Sequence, residues 1–570
     1  MFSTTPNLFC ISVTFLAFSC TSNALAQSPN IARDMIEQFT ADQDSLKFKY
    51  QNPNSTVTHK RMTEFYSHWK NRLSQLDFDS LDTDGKIDFT LLTNYVNHEA
   101  QKKETQWRQD RAAAKLVPFL EPLNGLLDEQ ELTKAVDPRK VAAIFENATK
   151  DIKDFDRSTI QNFSTSHPTL ILRSISQVQN TLVAIGEFHR FGLGYNPLYT
   201  FWAETPYEAL VGSLKSYADE LKSTVYGNTQ NSEKIIGQPI GRKEIDRELR
   251  AEFIPYSLDD LLNIANQEMA WCDQEMEKAA QALGHKNWVD AQNEVKTRFV
   301  QPGEQPKLIN ELAQEAIHFL QLHDLITIPL IAKESWRMKM MSPERQKMSP
   351  YFLGGHTILV SFPTGSMPHR DKLMSMRGNN RHFARATVHH ELIPGHHLQY
   401  FMNKRHKNYR KLFNTPFWLE GWAVYWEMLL WDLNFARSNE DKIGMLFWRK
   451  HRCARILFSL GYHSGEMHPQ ECIDFLVDRV GHERNNAAAE VRRSVMGGYG
   501  PLYQAAYMIG ALQFRKLHRE LVQSGKMTNR EFHDAVLREN NIPIELLRAK
   551  LLNRDVPRDF QTRWRFSDRN

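Results

Sequence analysis

Apolar side chains recur at three- and four-residue spacing along most of the chain. The runs IARDMIEQFTADQDSLKF (31–48), DFTLLTNYVNHEAQKKETQWRQDRAAAKL (88–116) and LDDLLNIANQEMAWCDQEMEKAAQAL (258–283) all carry this period. It is the period of one helix face, so each run predicts an amphipathic α-helix. Glycine and proline fall between such runs and mark their ends. No segment repeats at a fixed interval. One stretch differs: HTILVSF (356–362) is β-branched and apolar, with Gly354-Gly355 before it and Pro363 after it. That predicts a strand. It either belongs to a small sheet without further role or offers an edge to an extended peptide. LDTDGKIDF (81–89) resembles a calcium loop, but such a loop needs an acid first and Glu twelfth. Ser80 and Leu91 hold those places, so a helix start after a turn is expected. The pattern as a whole predicts a mainly α protein.

The N-terminus breaks the amphipathic pattern. Residues 8–20, LFCISVTFLAFSC, form an apolar run too short to span a bilayer with ease. Ala24-Leu25-Ala26 follows as a cleavage pattern, so residues 1–26 read as an export signal and the mature protein as periplasmic or secreted. Cys20 offers a second reading, a lipoprotein anchor, although Phe18 two residues earlier suits it poorly. No other stretch reads as transmembrane. Cys272, Cys453 and Cys472 remain beyond the leader, with no C-x-x-C pair, which points to buried small hydrophobes rather than thiolate ligands.

Composition narrows the function. The 570 residues are 41% hydrophobic and 24% charged, with a net charge of +4 spread along the chain. That describes a globular protein and offers no basic patch for nucleic acid.

The chemistry concentrates in VHHELIPGHHLQ (388–399). His390-Glu391 begins an H-E-x-x-H zinc motif, but Pro394 stands where the second histidine belongs. On an undistorted helix His397 lies near the same face but about 10 Å further along, and His396 points elsewhere. Pro394 and Gly395 would supply a distortion. A two-residue bulge there brings His396 into the ligand's place, with His397 as the alternative. A third ligand is expected from TPFWLEGWAVYWE (415–427). Thr415 is a good N-cap and Pro416 a good first helical residue. The helix is apolar nearly all round, so it should be buried, and its Glu420 then needs a partner or a metal. Glu427, seven residues on, faces nearly the same way and suits a group that orients a ligand. Zinc brings the pKa of a coordinated water towards neutrality. Glu391, beside the ion, would take that proton and return it to a leaving amine.

HELIPGHHLQ followed by EGWAVYWE resembles the signatures of the bacterial family called domain of unknown function 885. The resemblance implies a large, mainly helical, gluzincin-like zinc-peptidase fold with a deep cleft and a small sheet near the active site. It implies one Zn2+ held by His390, a histidine after Pro-Gly, and Glu420, with Glu391 as general base. Residues 27–330 would form one wall of the cleft and residues 331–570 the catalytic region. RCARILFSLGYH resembles a family segment that points to His463. Pro501-Leu502-Tyr503-Gln504-Ala505-Ala506-Tyr507 resembles a Pro-Gly-Gln-Ala motif followed by tyrosine, with Leu502-Tyr503 in place of the glycine. Arg493 matches an arginine before that motif. Tyr507 and His463 are the candidate oxyanion donors. The expected activity is cleavage of short peptides. The alternatives are zinc-dependent hydrolysis of a cell-wall or small-molecule amide, and a cleft-binding protein without catalysis.

Overall fold

The computed structural model describes residues 30–227 and 234–567. The leader, with its cleavage site, Cys10 and Cys20, lies outside the described residues. Helices dominate, and the only strands among the described residues are β1 (Arg337–Met340) and β2 (Thr357–Val360). The protein is mainly α.

Local chemistry sets many helix ends. Asp82 caps the helix Thr83–Ala113 through Gly85 N–H, so the calcium-like stretch is a helix start. Ser257 and Asp260 form a capping box at Leu258–Ala282, satisfying two otherwise orphaned donors. Six helices build the region around the histidine motif: α1 (Arg381–Glu391), α2 (His396–Asn403), α3 (Pro416–Asp432), α4 (Asn439–Ser464), α5 (Arg484–Met496) and α6 (Tyr503–His518).

Three cores hold the chain together. The largest joins side chains between Ala32 and Val96 to those between Ile245 and Phe566. A second, from Leu116 to Val225, is separate. The helices of the first 330 residues therefore divide among all three cores. The third core seats Ala384, Val388 and Leu392 of the histidine segment on Ile358 and Val360 of β2 and on Leu308, Ile309, Leu312 and Ala313.

β2 pairs in parallel with β1, from Arg337 opposite Thr357 to Met340 opposite Val360. Its other side is bridged at Leu359 by Leu353, with both hydrogen bonds made. The middle of the strand thus has no open edge for a peptide.

α3 is buried from Phe417 to Leu430, as its all-round apolar sequence requires, and Thr415 caps it. It packs most extensively on α6. Two glycines permit this approach: a Cβ on Gly421 would lie 2.5 Å from Gly510 Cα, and one on Gly510 would lie 2.0 Å from Phe417 O. Gly510→Ala is therefore expected to force the helices apart, destabilising the protein by about 1–3 kcal/mol. A thermal unfolding midpoint below that of the parent checks this.

Cys272, Cys453 and Cys472 are buried and unbridged. Among the described residues no helix is long and apolar enough to cross a membrane.

Candidate metal centre

Pro394 and Gly395 break the helix rather than bulge it. α1 ends at Glu391 and α2 begins at His396. Proline offers no N–H to continue the ladder. Gly395 N–H instead donates to His389 O at 3.0 Å, folding the chain back on the last turn of α1. A Cβ on Gly395 would fall 1.7 Å from His390 O, so only glycine fits there. Trp422 Nε1 of α3 donates to Pro394 O at 2.9 Å and ties the turn to the neighbouring helix.

This turn brings His396 beside His390. Their rings are edge to face with centroids 4.8 Å apart. His390, Glu391 and His396 each bring a ligand atom within 4.8 Å of the others. Glu420 completes the group: its Oε2 lies 3.7 Å from His390 Nε2 and 3.2 Å from His396 Nε2. All four residues are buried.

The other ring nitrogens are spoken for. His390 Nδ1 stands 2.7 Å from Glu427 Oε1. An ionised carboxylate only accepts, so this nitrogen carries the hydrogen and Nε2 turns its lone pair inward. His396 Nδ1 stands 2.9 Å from Gln399 Oε1. Gln399 Nε2 donates to Leu419 O at 3.0 Å, which fixes its oxygen as the acceptor. Both imidazoles are thus held in the tautomer a metal requires, the role such outer partners play. Burial alone would raise Glu427, but Arg452, at 2.9 Å, and His390 outweigh it and bring its pKa down to about 2.

The donor set fits zinc. Ligands at about 2.0–2.1 Å in a tetrahedron stand about 3.3 Å from one another. The separations of 3.2 and 3.7 Å to Glu420 Oε2 lie on either side of that value. Glu420 Oε2 is buried and accepts no hydrogen bond, its contact with His396 being an ion pair at 3.2 Å. An orphaned carboxylate oxygen is costly, and a cation where the three atoms converge would remove the cost. Burial opposes charge on Glu420, yet the charge of His396 holds its carboxyl well below the usual range. Burial likewise lowers His396, and Glu420 outweighs it, pushing the imidazole up to about 9. A divalent ion held by the pair would displace that imidazole proton.

The remaining candidates divide. Glu427, Arg493 and Tyr507 join the cluster; His397 and His463 do not. His397 Nδ1 and Nε2 face the carbonyls of Gly355 and Ala332 at 3.2 and 2.8 Å. His463 shares the α4 face of Arg452 but lies eleven residues further on, about 16 Å along the axis. It has no place in the cavity wall, and burial lowers its pKa to about 4. Tyr507 accepts a hydrogen bond from Arg493 Nη2 at 2.9 Å, and its ring lies nearly parallel to that of His390, 6.3 Å away.

Sequence reasoning gave no role to Tyr503, Gln399, Arg452 or Arg455. The Tyr503 hydroxyl donates to Glu420 Oε1. Its spacing of four from Tyr507 on one helix face was the available signal. Arg452 and Arg455, a turn apart on α4, point the same way. With His390, Glu391, His396 and Glu420 they line a partly open cavity of about 210 Å³.

The fold and this cluster define a helical protein with a buried centre of two histidines and one carboxylate, flanked by a further glutamate. The chain belongs to the family of bacterial proteins of unknown function DUF885, whose model matches residues 49–551. No curated protein matches it. Its fold is similar to that of a protein of unknown function from Shewanella oneidensis, provisionally described as a lipoprotein, at 15% identity and TM-score 0.67. That match covers 91% of this chain and 99% of the other. A similarly described protein from Colwellia psychrerythraea matches at 15% identity and TM-score 0.57, covering 92% and 98% of the two chains.

Proposed function

We propose that the protein is an exported zinc-dependent peptidase acting on short peptides. The observation that carries this reading is the convergence of His390 Nε2, His396 Nε2 and Glu420 Oε2, with Glu391 beside them in the wall of one cavity. A purely structural zinc site is normally closed by four protein ligands and has no use for a neighbouring base. Zinc, when bound, supplies Lewis-acid activation of water and of a substrate carbonyl.

The chain's own residues do the rest. Glu391 accepts the proton of the attacking water and passes it to the departing amine. The Tyr507 hydroxyl, which accepts from Arg493, keeps its own proton free to donate to the developing oxyanion. Tyr503 and Glu427 hold Glu420 and His390 in place. A cavity of about 210 Å³ suits chain ends and short peptides rather than folded proteins. Export, to the periplasm or beyond, rests on the leader sequence and on the lipoprotein description of the similar structures.

The test is to load the chain lacking residues 1–26 with zinc and incubate it with a defined panel of tri- to hexapeptides. New amino termini should appear, and chelation should slow their release by more than about 100-fold. A zinc-loaded protein that cleaves no peptide would contradict the reading.

A further inference from the structure

We propose that Arg493 receives the free C-terminal carboxylate of the substrate, so that the enzyme works from the C-terminal end of short peptides. This rests on the zinc-peptidase reading above and adds the class of substrate end. Arg493 lies on α5, is 7% exposed and lines the cavity with the metal-binding cluster. Buried arginines are ordinarily matched with a carboxylate. Arg455 next to it is matched: Nε and Nη2 both reach Glu490 Oε1 at 2.7 Å. Arg493 is matched only loosely: Nη1 forms an ion pair with Glu490 Oε2 at 3.8 Å, beyond a hydrogen bond. Its one hydrogen bond goes to the neutral hydroxyl of Tyr507, and its buried Nε has no partner. A planar guanidinium with donors to spare is shaped for a carboxylate held by two parallel hydrogen bonds.

The charges around it agree. The arginines of the cavity wall, Arg345, Arg452, Arg455 and Arg493, are balanced by Glu391, Glu420, Glu427 and Glu490. A divalent ion at His390, His396 and Glu420 would then leave two positive charges in excess, which favours an anionic ligand. The position also fits. Tyr507 touches both Arg493 and the His390 ring. An extended peptide advances about 3.3–3.6 Å per residue. A carboxylate on Arg493 therefore places a peptide bond only a residue or two from the chain end beside Glu391.

The test uses the full mature chain with Glu391→Gln, loaded with zinc, in equilibrium dialysis. The probe is an equimolar mixture of N-acetylated tripeptides as free acids and as C-terminal amides, read by mass spectrometry. Free acids should be retained at least about tenfold over their amides. That preference should vanish when Arg493→Gln is added and recover in part with Arg493→Lys, with zinc content unchanged in each. Equal retention of acids and amides, or an acid preference that survives Arg493→Gln, overturns the assignment and leaves the peptidase reading standing. Retention of neither class overturns both. The comparison of acids with amides on the unaltered arginine holds even if the Arg493 variants fail to fold.

Discussion

Replacing Glu391 by Gln is expected to leave zinc binding intact and to lower peptide turnover by about 10²–10⁴-fold, the usual contribution of a positioned general base. The substitution changes little else. Glu391 is the last residue of α1, its side chain lies in the cavity wall, and glutamine has nearly its shape. The bonds that orient His390 and His396 go to Glu427 and Gln399 and do not pass through it. What is lost is the basic oxygen proposed to take the proton of water. Rate and zinc content measured on one preparation separate the two functions. A variant that turns over at the parent rate would mean that another group is the base.

The second large effect concerns the metal. Glu420→Ala and His396→Ala each remove one of three converging ligand atoms, and each should weaken zinc binding by more than about 100-fold, beyond the 10–100-fold typical of an outer partner. Alanine at 420 also strips the Tyr503 hydroxyl of its acceptor. His397→Ala should keep the ion, because that ring faces the carbonyls of Gly355 and Ala332. The contrast between adjacent histidines makes the pair informative. A general loss of folding would remove zinc from both, whereas loss of a ligand removes it from one.

What was legible in the sequence follows the range of the physics. Helical periodicity and burial are local, so the mainly α fold, the buried α3 and the need of Glu420 and Glu427 for partners could all be read from spacing. The choice between His396 and His397 could not be. It depends on how the backbone leaves Glu391, and that is set by the contact of Gly395 with His390 O and by the hold of Trp422 on Pro394 O. His463 illustrates the same limit: spacing gives the helix face it shares with Arg452, but not that the cavity ends well before it. The roles of Arg452 and Arg493 arise where α4, α5 and α6 meet, and no pattern within one helix encodes that meeting.

The central claim is that His390, His396 and Glu420 hold a metal ion. The most direct measurement is elemental analysis of the purified mature chain after zinc is supplied and the excess removed. The account predicts about one zinc per chain. Protein that is folded by circular dichroism and retains no zinc would contradict it.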